Sequence, residues 1–125
     1  GGALIQKAQA QGRGVILVGA HYTSLDLGGI LLAPSYPYYA TYQRHGNALM
    51  DNIIRHGRLK HLPGMVERED IRQVMRLLKQ GEVVWLAPDQ DVGPERSVFA
   101  PFFGIEAATT PIISRLAAAT GAKVL

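Results

Sequence analysis

The chain has 125 residues, 47% of them hydrophobic and 18% charged, with 13 Lys and Arg against 10 Asp and Glu. That length carries one domain with a core of its own, and the mixture is globular rather than disordered. The absence of cysteine excludes disulfides, thiolate metal sites and a cysteine nucleophile, and a formal charge of +3 with a pI near 9.5 favours an acidic partner, anionic lipid or phosphate without choosing among them.

Residues 3–11 read as the tail of a short helix ending near Gly12. "GVILVGA" is a continuous apolar, β-branched run, the mark of a strand covered on both faces. "TSLDLGGILLA" reads as a helix with Thr23 or Ser24 as N-cap and Asp26 in its first turn, where the helix dipole favours an anion; Pro34 and Pro37 end it. "YYATY" is a second strand. "GNALMDNIIRHG" follows as a helix with Leu49, Met50, Ile53 and Ile54 on one face and Gly57 as C-cap. A third strand surrounds residues 65–66. "REDIRQVMRLLKQG" is the clearest helix, with Ile71, Val74, Met75 and Leu78 as its stripe and Gly81 as its stop. "EVVWLA" is another buried strand, and a long loop, "PDQDVGPERS", leads to "VFAPFFG". "TTPIISRLAAATG" closes as a helix with Thr110 as N-cap and Pro111 at its first position.

Strands alternating with helices predict an α/β fold, a mainly parallel sheet flanked by helices. The opening "GGALIQKAQAQG" carries no legible signal peptide, and no apolar stretch approaches the length of a membrane-spanning helix. Both ends read as cut, because there is no initiator Met and "GAKVL" stops as though entering a strand. The expectation is a single partial domain over residues 1–125.

The first chemical question is why an apolar strand ends on His21 with Asp26 five positions later. In one helix that offset is roughly 140° of rotation, and in one strand it puts the side chains on opposite faces. A strand end, a tight turn and a helix start can bring the two together, and "GAHYTSLD" reads in that order. This also puts His21 at the carboxyl end of a strand, where open α/β sheets bind ligands. Two readings stand: a general base with an orienting carboxylate, or a turn-exposed histidine and an ordinary first-turn acid. No G-x-S-x-G elbow exists, and Ser24 is better used as a helix cap. A base at His21 would therefore act on the substrate's own hydroxyl.

The second constellation, "WLAPDQDVGPERSVFAPFFG", opens at the same sheet edge. Asp89 and Asp91 without a nearby histidine make a poor metal site, and turn roles suit them better in isolation. Arg96 and Ser97 are candidates for a phosphate or polar headgroup, and Phe99, Phe102 and Phe103 read as core sooner than as an acyl-chain wall. In the third, "YATYQRHGNALMDNIIRHGR", Arg44 just past a strand offers a guanidinium fork to an anion, or is a solvated charge. His45, His56 and His61 lack zinc spacing and read as surface residues. Arg55, Arg58, Lys60, Arg72, Arg76 and Lys79 form an electropositive face or a solvated one. Little aromatic interleaving and no G-x-G-x-x-G after a strand argue against nucleic-acid and dinucleotide partners.

These three segments, in this order, resemble the lipid A biosynthesis lauroyl/myristoyl acyltransferases of Gram-negative bacteria, from about Gly12 to the end. "AHYTSLD" is similar to that family's His-x4-acid motif, shared with the wider glycerolipid acyltransferases. "YQRHGNALMDNIIRHGR" resembles its Arg-containing block, and "GEVVWLAPDQDVGPERSVFAPFFG" its most distinctive stretch. The resemblance implies a glycerolipid-acyltransferase-like fold. It implies His21 as general base, Asp26 as its partner, and Arg44 and Asp89 lining the site. Asp89 stands where glycerolipid acyltransferases carry the glutamate of a Pro-Glu-Gly triplet; here the triplet is Pro88-Asp89-Gln90.

The expected function is transfer of a fatty acyl chain from an acyl-carrier-protein thioester to a hydroxyl of a lipid A precursor in lipopolysaccharide biosynthesis, with no acyl-enzyme and no cofactor or metal. Arg44 would bind a phosphate of the acceptor or of the donor's phosphopantetheine arm. The location implied is the cytoplasmic face of the inner membrane, reached through segments outside these residues. The alternatives are a phosphatidate-forming glycerolipid acyltransferase and a non-catalytic lipid- or phosphate-binding α/β module.

Overall fold

Val15 and Ile16 are consecutive, β-branched and fully buried, yet they serve different cores. Alternation along a strand sends successive side chains to opposite faces, and the computed structural model, which describes residues 1–125, has helices on both. The elements in chain order are α1 (Gly2–Ala10), β1 (Val15–Val18), α2 (Leu25–Leu32), β2 (Tyr39–Tyr42), α3 (Ala48–Leu59), β3 (Gly64–Glu67), α4 (Ile71–Lys79), β4 (Val83–Leu86), β5 (Val98–Phe102), β6 (Ile105–Thr109), α5 (Ile112–Thr120) and β7 (Lys123–Val124). Five strands pair in the order β3-β2-β4-β1-β7, every pairing parallel. The fold is therefore α/β, as the alternating pattern predicts.

On one face Ile16 and Val84 pack with Val74, Leu77 and Leu78 of α4 and Leu116 of α5. On the other, Val15 and Val83 pack with Ile5 and Ala8 of α1, Tyr38 and Leu62. Removing each such valine or isoleucine from water stabilises the fold by about 1.5–3 kcal/mol, so the β1–β4 pair is the most firmly held part of the sheet. Asp70 caps α4 by accepting the Gln73 N–H at 3.0 Å. Asn47 caps α3, accepting from Leu49 and Met50 at 3.0 and 3.2 Å.

Three expectations change. α3 runs through Gly57 to Leu59; the Arg58 carbonyl accepts the His61 and Leu62 N–H groups and closes the end instead. α5 starts at Ile112 with Pro111 as N-cap, one residue later than the Thr110 cap predicts. "VFAPFFG" is neither core nor loop but the first arm of an antiparallel β5–β6 hairpin. Phe99, Phe102 and Phe103 are exposed, because the hairpin projects its side chains away from the main sheet. No helix is long and apolar enough to cross a membrane.

The hairpin turn is Phe103–Gly104, with φ of 50° and 79°. Two consecutive positive φ values match a type I′ turn, which prefers Asn-Gly. A phenylalanine there is strained and, at 92% exposed, gains no burial in return. Phe103→Asn should therefore raise stability by about 1 kcal/mol, read as a higher urea midpoint with an unchanged slope.

Candidate active site

β1 and β4 run side by side with Val18 opposite Leu86, and Gly19 N–H extends the ladder to the Leu86 carbonyl at 3.0 Å. Continuing that register three residues past each strand sets residue 21 against residue 89. The contact forms there. The Asp89 carboxylate accepts the His21 backbone N–H through Oδ2 at 2.8 Å, and its Oδ1 lies 2.7 Å from His21 Nδ1. The sequence separation, 68, is the same as that of the paired strand residues, so the sheet itself delivers the pair.

The His21 N–H and imidazole hold the Asp89 carboxyl below its ordinary 3.8. An ionised carboxylate only accepts, so Nδ1 carries the proton and Nε2 keeps its lone pair for a substrate. The side chains are 44% and 35% exposed; the ring is reachable. Its flank is set by Trp85, whose ring meets it edge-on at 6.4 Å and 75°.

Gly19 makes room for that indole: a Cβ at this position would lie 2.5 Å from Trp85 Nε1. Gly19→Ala must displace the indole that flanks His21. Turnover should fall about tenfold, as misplacing a catalytic group does, and the emission of Trp85, the single tryptophan, should shift while the fold is retained.

His21 stands on a cavity of about 770 Å³ whose walls include Leu17, Leu32, Ile53 and Ile54. This volume suits a lipid-sized or cofactor-sized ligand. Asp26 lines the same cavity but is not the partner of His21, contrary to the expectation. Its Oδ1 accepts Arg58 Nε and Nη2 at 3.0 and 2.8 Å. The reason is local. Asp26 lies in the first turn of α2 facing the last turn of α3, where Arg58 also suits the helix dipole, while Nδ1 of His21 is already taken by Asp89. The site thus holds two carboxylate contacts, the His21–Asp89 hydrogen bond and the Asp26–Arg58 ion pair. Near the Asp26–Arg58 pair Tyr38 is buried, and burial raises its hydroxyl pKa, with Arg58 opposing and Asp26 adding to the shift.

Since Asp26 and Arg58 form one hydrogen-bonded unit on the cavity wall, Asp26→Asn and Arg58→Ala should impair turnover by comparable factors. The double variant should be no worse than the worse single one, a coupling that a double-mutant cycle measures.

Two further expectations are corrected. Arg44 does not line the cavity; it is exposed, donates from Nε to Glu67 Oε1 at 2.7 Å, and belongs to a separate depression at the start of α3. Arg96 sits exposed on a short 3₁₀ turn, Pro94–Arg96, and Ser97 follows it with its hydroxyl buried and unpartnered; neither lines the cavity. Asp91 takes the turn role, accepting the Gly93 N–H at 2.8 Å. Arg58, His61 and Arg68, two of them read as surface positions and one not singled out, do line it. The signal available for Arg58 was its place in the last turn of α3, one turn beyond the Ile53/Ile54 face.

The sequence model of the bacterial lipid A biosynthesis acyltransferases matches residues 1–125. The chain is 43% identical over 119 residues to the lipid A biosynthesis palmitoleoyltransferase of Escherichia coli K12, covering 92% of this chain and 39% of that protein. It is 43% identical over 119 residues to the lauroyltransferase of the same organism, covering 94% of this chain and 39% of that protein. With its myristoyltransferase the identity is 29% over 124 residues, 98% of this chain and 38% of that protein. The chain thus spans about two-fifths of the length of these relatives. A match along all 125 residues, together with these identities, establishes that this chain belongs to the bacterial lipid A biosynthesis acyltransferase family.

Proposed function

We propose that this chain carries the catalytic centre of an acyltransferase that moves a fatty acyl chain from an acyl-carrier-protein thioester to a hydroxyl of a lipid A precursor. The observation that carries the reading is the His21–Asp89 pair, with Nε2 free beside an apolar-walled cavity. Nε2 takes the acceptor hydroxyl proton as that oxygen attacks the thioester carbonyl. The C–O bond forms, the tetrahedral oxyanion collapses, the C–S bond breaks, and the imidazolium returns its proton to the departing thiolate. Asp89 holds the ring in the required tautomer and stabilises the imidazolium. Direct transfer without an acyl-enzyme is supported by Ser24 standing at the N-cap of α2 with no hydrogen bond to His21.

Asp26 and Arg58 serve as an ion pair on the wall of the same cavity, tying α2 to α3. The exposed Arg72, Arg76 and Lys79 of α4 suit an acidic carrier protein, which predicts salt-sensitive association. The cytoplasmic face of the inner membrane is the setting that fits both an acyl-carrier protein and a lipid acceptor. Mass spectrometry of lipid A from cells lacking and regaining the full-length gene tests the reading. A secondary acyl chain should vanish and return; lipid A of unchanged mass in the deletion would refute it.

A further inference from the structure

Two glycines stand inside helices for no reason that the helices themselves supply. Gly28 is in α2 and Gly57 in α3, and glycine destabilises a helix interior relative to alanine. Neither has a positive φ, so the backbone does not call for glycine. A Cβ at either position would meet no neighbouring group within 4 Å, so close packing does not call for it either. Gly29 is the contrast: a Cβ there would lie 2.4 Å from the Tyr38 hydroxyl, and that approach accounts for the missing side chain.

Both unexplained glycines line the cavity at His21. On α3 the positions facing it are Ile53, Ile54, Gly57 and Arg58; on α2 they include Leu25, Gly28 and Leu32. Spacings of three and four residues make each set one helix face. Each apolar face therefore carries a notch, and Asp26 and Arg58 tie the two notched helices together. A leucine at either position would add apolar contact to the wall, yet the sequence leaves the space open. A guest that fills it explains the omission. Asp26 and Arg58 neutralise each other on this wall, which leaves it compatible with hydrocarbon. A methylene chain, narrow and without hydrogen-bonding groups, fits such a recess.

We propose that Gly28 and Gly57 are the chain-length determinants of this site. The hydrocarbon tail of the acyl group being transferred runs from the carbonyl at His21 between α2 and α3 and crosses both glycines, and the side chains absent there set how much tail the cavity accepts. The proposal rests on the acyl-transfer reading and adds to it the residues that select the chain.

The test uses the full-length enzyme and its Gly28→Ala, Gly28→Leu, Gly57→Ala and Gly57→Leu variants, with acyl-carrier-protein thioesters from octanoyl to palmitoyl as donors. Each leucine should lower kcat/KM for the wild type's preferred donor, relative to octanoyl, about 10- to 100-fold, the discrimination that a misfit of one methylene gives in an apolar pocket. The preferred length should move to a shorter chain, and alanine should move it the same way by a smaller factor. Urea midpoints should be unchanged or higher in all four variants, since alanine and leucine favour a helix more than glycine does. An unmoved donor preference in folded leucine variants would overturn the proposal. So would a lowered midpoint with the preference unmoved, because another part of the protein would then fill the recess. Binding of a fluorescent fatty acid separates this result from the reaction. Wild-type enzyme that binds it more tightly than either leucine variant, yet transfers no acyl chain, would uphold the two glycines and refute the acyl-transfer reading instead.

Discussion

Replacing His21 with alanine in the full-length protein should lower kcat by about two to four orders of magnitude, the usual range for losing a positioned general base. The loss should appear in kcat more than in KM, because Nε2 contacts the hydroxyl proton that moves in the transition state, whereas substrate affinity resides in the cavity walls. Folding should be little affected. His21 is exposed and contributes no core contact, and its backbone N–H still reaches Asp89 when the side chain is gone. Single-turnover assays with a radiolabelled acyl thioester check this; wild-type turnover in a folded His21→Ala enzyme would remove the base from position 21.

Asp89→Asn should be comparably damaging, costing about three to four orders of magnitude, as expected when an orienting carboxylate becomes an amide that imposes the wrong tautomer. The asparagine oxygen can still accept the His21 N–H, so the loop keeps its shape. Its amide group then faces Nδ1 as a donor, which places the imidazole proton on Nε2 and leaves no lone pair for the substrate. pH gives a second readout. His21 holds the Asp89 carboxyl below its ordinary 3.8, so the ionised contact stabilises the native state fully above that value and is lost as pH falls through the lowered one. The stability difference between wild type and Asp89→Asn should accordingly stay constant through neutral and mildly acidic solution. It should close only below about pH 4. Urea midpoints measured from neutrality into strong acid test this, and a difference that closes near neutrality would contradict the assignment.

The periodic elements were legible because their burial is simple. Val74, Leu77 and Leu78 recur at helical spacing on α4, and the two valine-rich strands are covered on both faces. The sequence also shows that His21 and Asp89 both follow buried strands. It does not show that those strands are neighbours, since the order β3-β2-β4-β1-β7 is a property of non-local pairing. Without that order the nearest acid in the chain, Asp26, was the natural partner for His21, and a contact between residues 68 positions apart left no local trace. Arg44 and Arg58 show the same limit: both follow apolar segments, and only the meeting of the first turn of α2 with the last turn of α3 through Asp26 and Arg58 decides which one reaches an acid at the cavity. The apolar faces of α2 and α3 read as buried by pattern, yet neither helix has a buried residue in this chain. Hydrophobic periodicity identifies a face without saying what covers it.

Because base and carboxylate each hang three residues beyond a matched pair of parallel strands, the two connecting tripeptides behave as arms of one caliper. Adding or deleting a single residue in either arm would close the jaws on the wrong atoms, while a compensating change in the other could reopen them. The span from Asp91 to Arg96 carries no such constraint, so natural length variation in homologues should accumulate there and spare both arms.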